Sequence, residues 1–225
     1  MFDPVTQAHL ARLGIPPGAR CLEVGAGSGS IARWLAGRAN LEVRALDLAA
    51  EPVPPGPWDV IHERLVLQHV PERVDVLGRL VAALAPGGLL LLEDFDTGEV
   101  RTLDRDGPDH ELIVRVAQAF NRLLGTRGGV SDFAAGALRT LRAYGLVGTG
   151  ASGYVAVDTG GTGWATVQAA NAAQVRDGLV GQGTPPEDVD RFVAVMAEPD
   201  TIVGSSVLIS TWGRRPAITT TATDG

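Results

Sequence analysis

The sequence of 225 residues has one cysteine, Cys21, and no lysine, so all 19 basic residues are arginines. A single cysteine excludes an intrachain disulfide and a thiolate cluster for zinc or iron–sulfur, and it is typical of a reducing compartment. No apolar run reaches the roughly 18 to 20 residues that a membrane-spanning helix needs. These absences predict a protein with no structural metal and no membrane segment.

The net charge and the first residues of the chain bear on its partners and its location. The net charge is −7 and the arginines form no basic stripe, which disfavours nucleic acid and anionic membranes as partners. The opening MFDPVTQAHLARLG lacks the basic start and the long apolar stretch of a secretory signal. We therefore expect a cytoplasmic protein whose partner is a small molecule.

Hydrophobic residues make up 45% of the chain and charged residues 20%, which is the composition of one ordinary soluble domain. In the first half, short apolar runs alternate with amphipathic stretches, as in strands and helices over a parallel sheet. Strands are predicted at 20–24, 41–46, 58–62 and 89–93, and helices at 31–38 and 72–84.

The second half is less regular and contains mostly helical periodicity. The patterns predict helices at 109–125, 132–144, 164–180 and 186–197, and strands at 151–158 and 204–212. The tail, residues 217–225, has little to bury and is expected to be mobile. No linker divides the chain, so we expect one domain over residues 1–225.

A glycine cluster, GAGSG at 25–29, separates the strand at 20–24 from the next helix. Glycines there allow a sharp turn and let a ligand approach the backbone without meeting a Cβ. A tight turn that binds nothing is one alternative. A dinucleotide site is another, but its G-x-G-x-x-G spacing would need a glycine where Ser30 stands, which disfavours a nicotinamide cofactor.

With this motif the chain resembles the class I S-adenosylmethionine-dependent methyltransferases, and most closely small-molecule enzymes of actinobacterial type. The resemblance rests on LEVGAGSGSIARWLAG, WDVIHERLVLQHVP and LVAALAPGGLLLLEDFD, which begin at residues 22, 58 and 80. It implies a Rossmann-like, doubly wound α/β fold whose mostly parallel sheet has an antiparallel C-terminal edge. Residues 1–98 would form the cofactor-binding half and 99–216 the acceptor side.

The resemblance also implies a cofactor site. Glu23, Gly25, Gly27 and Gly29 match the loop that holds the methionine part of S-adenosylmethionine, and an acidic residue after the second strand would accept the ribose hydroxyls. Asp47 is the candidate ribose acid. Its distance from Gly29 suits the end of the second family strand, whereas its local sequence resembles the third, and both assignments stay open.

The segment between Arg38 and Trp58 is shorter than the resemblance requires. Four prolines in AAEPVPPGP exclude a further helix or strand, so about one strand–helix unit is missing. The residues from 48 to 58 can still extend over about 36 Å, which is enough to reach the next strand. We expect the wall over adenine to be lost and cofactor binding to be weakened.

Further candidate residues lie at the predicted carboxyl edge of the sheet. Glu63 and Arg64 are predicted just past the strand at 58–62, where they would line the methionine end of the cofactor or form a solvated surface pair. His69 is the candidate catalytic residue, because a histidine there could orient the acceptor or take its proton. It could instead bond a loop, while His62, inside the strand, is interpreted as structural.

The function that follows is methyl transfer to a small metabolite of secondary metabolism. In-line displacement from a sulfonium needs mainly alignment and desolvation, so no dedicated triad is expected. Besides the acceptor, a second copy of the chain is compatible as a partner. The alternative is a degenerate methyltransferase fold that binds the cofactor weakly or not at all and serves as a binding subunit or catalyses a non-methylating reaction.

Overall fold

A computed structural model describes residues 1–38, 40–43, 48, 51–98 and 103–217, with only the backbone of 40–43. The strands are β1 (Arg20–Val24), β2 (Asn40–Val43), β3 (Trp58–Arg64), β4 (Leu84–Asp96), β5 (Val147–Tyr154), β6 (Val157–Thr159), β7 (Ile202–Gly204) and β8 (Val207–Arg214). The helices are α1 (Asp3–Leu13), α2 (Ser30–Ala36), α3 (Arg73–Ala83), α4 (His110–Thr126), α5 (Phe133–Ala143), α6 (Gly163–Gln174), α7 (Arg176–Gly181) and α8 (Pro186–Val195), with a 3-10 turn at Leu67–His69.

Six strands form the main sheet in the order β2-β1-β3-β4-β8-β5. Strand β1 is parallel to β2 and β3, and β3 is parallel to β4. The far edge, formed from the C-terminal strands, is antiparallel, and the α/β fold class predicted from the sequence is confirmed. The register places Glu23 opposite His62 and Arg64 opposite Glu93.

The chain forms two compact units. The sheet unit comprises Phe2–Asp94, Ala134–Ser152 and Ile209–Gly225, and the helical unit comprises Met1, Phe95–Phe133 and Gly153–Leu208. In the sheet unit, β1, β3 and β4 are buried along most of their length, as expected of central strands covered on both faces. One core cluster joins Leu10, Cys21, Ile31, Leu35, Val60, Leu89 and Leu91.

The helical unit is built on the amphipathic helix α4. Its buried side chains, Leu112, Val116, Ala119 and Leu123, recur at helical spacing, and the helix packs against α7 and α8. Strands β6 and β7 form a separate antiparallel pair. Phe95 meets Trp164 edge to face, with ring centroids 5.3 Å apart.

In the second half, three segments that the sequence predicts as single elements are each divided into two elements in the structure. The predicted strand at 151–158 divides into β5 and β6, and that at 204–212 into β7 and β8, because Ala156 and Ser205 bond each other where the chain leaves one sheet for the other. The predicted helix at 164–180 divides at Val175, whose φ of −109° and ψ of 22° are not helical. Helix α1 was missed.

The short connection before β3 is irregular where the structure describes it. Residue 48 and residues 51–57 contain no helix or strand. Trp58 Nε1 donates to the carbonyl of Pro54 at 3.0 Å, and the Arg79 guanidinium donates to the carbonyls of Leu48 at 2.6 Å and Glu51 at 3.0 Å. No helix within the described residues is long and apolar enough to cross a membrane.

Candidate active site

The glycine cluster forms the loop between β1 and α2. Gly25, Gly27 and Gly29 have φ values of 66°, 53° and 75°, in the left-handed region where side chains cost energy. Gly29 N–H donates to the carbonyl of Ala26 at 2.7 Å and closes the turn. A Cβ at Gly27 would meet only the Gly25 carbonyl, at 4.0 Å, so this part of the backbone is open to an approaching group.

A shallow cleft opens beside this loop. Most of its described wall is apolar, and Glu23 is the one charged residue among the described residues that line it. The proline-rich segment supplies part of the wall through Val53 and Pro54. The described residues that line it are Leu22, Glu23, Val24, Gly25, Leu48, Val53, Pro54 and Leu80.

Glu23 belongs to a buried trio with His62 and Glu93. His62 Nδ1 lies 2.7 Å from Glu23 Oε2, and its Nε2 lies 3.3 Å from Glu93 Oε2. Burial alone would lower the pKa of His62, but the two carboxylates raise it to about 10. Because both ring nitrogens face carboxylate oxygens, His62 is an imidazolium that donates to both.

Glu93 is fixed from several elements. Ser210 of β8 donates to its Oε1 at 2.6 Å, and the Thr6 hydroxyl of α1 donates to its Oε2. Burial would raise the pKa of Glu93, but the hydrogen bond and charge of His62 and the other donors lower it well below its usual range. Glu93 is therefore a fully ionised, fully buried carboxylate.

Glu63 and Arg64 are the last two residues of β3, so the prediction that they follow the strand was wrong. They are not a solvated pair either. Arg64 donates to Asp3 Oδ1 at 2.7 Å and to Thr6 Oγ1 at 3.0 Å. These bonds join α1 to the carboxyl end of β3. Burial would raise the pKa of Asp3, but hydrogen bonds from Arg64 and Ser30 lower it.

Glu63 shapes the turn that follows β3. Its Oε1 accepts the backbone N–H groups of Val66 at 2.6 Å and Leu67 at 2.9 Å, while its Oε2 has no hydrogen-bond donor within the described structure. Burial raises the pKa of Glu63 to about 7. Burial and the nearby charge of Glu63 also raise the pKa of Asp94 well above its usual range. This buried acid pair therefore retains a proton near neutral pH.

His69 ends the 3-10 turn rather than beginning a helix, since α3 starts at Arg73. Partial burial lowers its pKa, which makes it neutral at pH 7. Its Nε2 lies 3.2 Å from Nε2 of Gln68, a buried side chain on the same turn. Asp47, the candidate ribose acid, lies outside the described residues, as do positions 218–225 of the predicted mobile tail.

The structure thus places Glu23 near the end of β1 and the three glycines on the loop that follows, and it places Glu63, Arg64 and His69 on the neighbouring strand and turn. Sequence reasoning missed the polar partners that hold these residues: Asp3, Thr6 and Ser210 were not considered, and His62 was interpreted only as structural. No signal within either strand marks the pair of Glu23 and His62, because β1 also contains Arg20 and β3 also contains Asp59, Glu63 and Arg64.

Comparison with known proteins agrees with this geometry. Residues 3–141 match the family described as a methyltransferase domain. The methyltransferase str2 of Strobilurus tenacellus is 38% identical over 104 residues, which cover 36% of this chain and 37% of that protein. The ubiquinone biosynthesis O-methyltransferase of Xanthomonas campestris is 29% identical over 150 residues, covering 55% and 59%.

Solved structures share the fold at low sequence identity. A methyltransferase of Bacillus halodurans superposes with a TM-score of 0.58 at 12% identity, over 96% of this chain and all of that one. Phosphoethanolamine N-methyltransferase 2 of Haemonchus contortus gives 0.56 at 15%, over 95% and 53%. The chain covers less than two thirds of the length of the curated relatives named above. Since more than half of its residues match the family, the chain belongs to the methyltransferase-domain family.

Proposed function

We propose that this chain binds S-adenosylmethionine and transfers its methyl group to a small-molecule acceptor. The observation that carries the proposal is the loop of Gly25, Gly27 and Gly29, all left-handed, beside a cleft that holds the carboxylate of Glu23. Open backbone and a fixed carboxylate fit the amino-acid end of that cofactor. The structure of a Haemonchus contortus relative holds S-adenosylhomocysteine.

Each residue would contribute positioning rather than covalent chemistry. When bound, the cofactor supplies a methyl group on a sulfonium, which is transferred by in-line displacement to a nucleophile. Glu23 would hold the ammonium group, the glycines would admit the carboxylate and sulfur, and Asp47 would accept the ribose hydroxyls. The apolar cleft wall of Leu22, Val24 and Leu80 would exclude water.

His69 remains the candidate for contact with the acceptor. Its ring is neutral at pH 7 and lies on the turn after β3, at the carboxyl edge where open α/β sheets bind ligands. A neutral imidazole can accept a proton from a hydroxyl or orient an amine. Glu63 and Arg64 would act on the site through the turn and α1 that they hold, because both are engaged by their own chain.

Calorimetry with S-adenosylhomocysteine tests the proposal. We expect micromolar affinity, and Asp47→Ala should weaken it at least about tenfold, or about 1.4 kcal/mol. Absence of heat at millimolar ligand would refute cofactor binding.

A degenerate fold that binds no cofactor is the second candidate. It is favoured by the intramolecular partners of Glu63 and Arg64, and it predicts that Gly27→Ala leaves function unchanged.

Two further proposals concern the location of the protein and its assembly. We propose a cytoplasmic location, supported by the single, buried Cys21, whose pKa is raised by burial to about 12 and whose thiol is therefore unreactive. A homodimer is proposed as the compatible assembly. Cell fractionation and light scattering of the purified protein test the two statements separately.

A further inference from the structure

We propose that His62 is a positioning residue for Glu23: it fixes one carboxylate oxygen and so presents the other to the glycine-loop cleft, where it receives an ammonium group. The inference rests on the proposed function, because the ammonium group is that of the amino-acid part of S-adenosylmethionine or S-adenosylhomocysteine. It assigns a role to a buried histidine that the reaction itself does not use.

The first step is geometric. Glu23 and His62 are opposite each other on the parallel strands β1 and β3, and the Nδ1 to Oε2 distance is 2.7 Å. His62 is completely buried and Glu23 is nearly so. A glutamate side chain normally has several rotamers, and this hydrogen bond selects one of them. Among the described residues Oε1 of Glu23 has no hydrogen-bond partner, and Glu23 lines the cleft.

The second step concerns what holds His62 in place. Its other nitrogen, Nε2, faces Glu93 Oε2 at 3.3 Å, and Glu93 is bonded by Thr6 of α1 and Ser210 of β8. His9 of α1 lies 3.6 Å from Glu93 Oε1. The imidazole is thus clamped between two carboxylates, Glu23 of β1 and Glu93 of β4. No second ring orientation gives both nitrogens a carboxylate partner.

The third step is electrostatic. Within the described structure, the titratable and charged groups around His62 are Glu23 from β1, Glu93 from β4, Glu63 of β3, the imidazole of His9 from α1 and, through Thr6, Arg64 of β3. Two carboxylates and one imidazolium leave the trio with one negative charge. A buried charge is costly unless it is paired. An ammonium group on the free oxygen of Glu23 would neutralise the trio through a charge-assisted hydrogen bond.

A pair of ligands separates this role from a general structural one. S-adenosylhomocysteine carries the ammonium group, whereas 5′-methylthioadenosine has the adenosine and sulfur but no amino-acid part. We expect His62→Gln to weaken S-adenosylhomocysteine about tenfold, or about 1.4 kcal/mol, and to change 5′-methylthioadenosine less than about twofold. Calorimetry on the purified full chain measures both affinities.

Thr211→Val is the matched control. Thr211 is also buried, and its hydroxyl has no hydrogen-bond partner within the described structure, so its removal should leave both affinities unchanged. If His62→Gln does not fold, as judged by thermal unfolding, Glu93→Gln loosens the same clamp and should give the same selective loss.

The outcomes are distinguishable. Equal losses for the two ligands, or unchanged affinity for S-adenosylhomocysteine, would overturn the role of His62 while leaving cofactor binding intact. A wild-type chain that binds neither ligand would refute the proposed function and this inference together. Nitrogen-15 NMR of the free protein adds a test without ligand: both ring nitrogens of His62 should carry hydrogen at pH 8, and a neutral ring would contradict the clamp.

Discussion

Val66 covers Gly25 so closely that a Cβ on the glycine would lie 2.2 Å from Val66 Cγ2. Gly25 belongs to the loop after β1 and Val66 to the turn after β3, so the two loops at this edge pack directly on each other. Glu63 holds the covering turn through the backbone N–H groups of Val66 and Leu67. The glycine loop therefore depends on the neighbouring turn for its shape.

Gly25→Ala should destabilise the protein by roughly 2 to 4 kcal/mol, from a left-handed alanine of about 1 kcal/mol and overpacking of about 1 to 3 kcal/mol. Urea unfolding measures the free energy. Gly14→Ala is the control, because Gly14 has a φ of 79° and no atom within 4 Å of an added Cβ.

The double variant Gly25→Ala with Val66→Ala isolates the contact. Since Val66→Ala removes Cγ2, the second substitution should recover part of the loss, and the two changes should not be additive. Simple additivity would show that the contact does not limit this loop.

The buried acid pair of Glu63 and Asp94 should make the free energy of unfolding fall as the pH rises from about 5 to 7. Unfolded Glu63 releases its proton near 4.5, whereas the folded group keeps it to about pH 7. The folded state therefore binds more protons in that window, and the free energy of unfolding should fall as pH rises, by up to about 1.4 kcal/mol per pH unit for each excess proton.

Asp94→Asn should flatten this slope, because it removes a buried carboxyl group whose own pKa is raised well above its usual range by burial and by the charge of Glu63. Urea unfolding at several pH values from 5 to 8 compares the two proteins. Asp96→Asn, a change on the same strand two residues later, serves as the control and should keep the wild-type slope. Equal slopes for wild type and Asp94→Asn would contradict a proton held by the pair.

The first half of the fold was predictable because its signals are local. Strand β1, the glycine cluster and α2 follow each other within 17 residues, and each element is set by its own periodicity and turn residues. The division between β5 and β6 was not predictable, because it depends on hydrogen bonds between Ala156 and Ser205, far apart in the sequence.

The candidate site shows the same limit. The sequence placed Glu23 and the glycines at a ligand-binding edge but assigned Glu63 and Arg64 to a loop past the strand. Their partners come from α1 and from the turn, which only the tertiary structure brings to them. The pairing of Glu23 with His62 likewise depends on the strand register, which the spacing of residues within one strand does not reveal.

Leu65 is the one non-glycine residue with positive φ in the described structure, at 59°, and it lies in the turn that Glu63 holds. Leu65→Gly and Leu65→Ala remove the same side-chain contacts beyond Cβ, but only glycine adopts this conformation without strain. We expect the glycine variant to be the more stable of the two by about 1 kcal/mol. Thermal or urea unfolding of the pair decides it, and a more stable alanine variant would mean that the turn adopts another conformation.

Arg79 of α3 holds the proline-rich segment that forms part of the cleft wall. Its guanidinium donates to the carbonyls of Leu48 and Glu51, and Leu48 lines the cleft with Val53 and Pro54. Arg79→Ala removes these bonds, each worth about 1 kcal/mol or more when the donor is charged. We expect faster amide exchange at Leu48, Glu51, Val53 and Gly56, measured by hydrogen–deuterium exchange. Arg139→Ala, an exposed change on α5, should leave that exchange unaltered. Equal exchange in the Arg79 variant and the wild type would show that the proline-rich segment is held by its apolar contacts and by Trp58 rather than by the guanidinium.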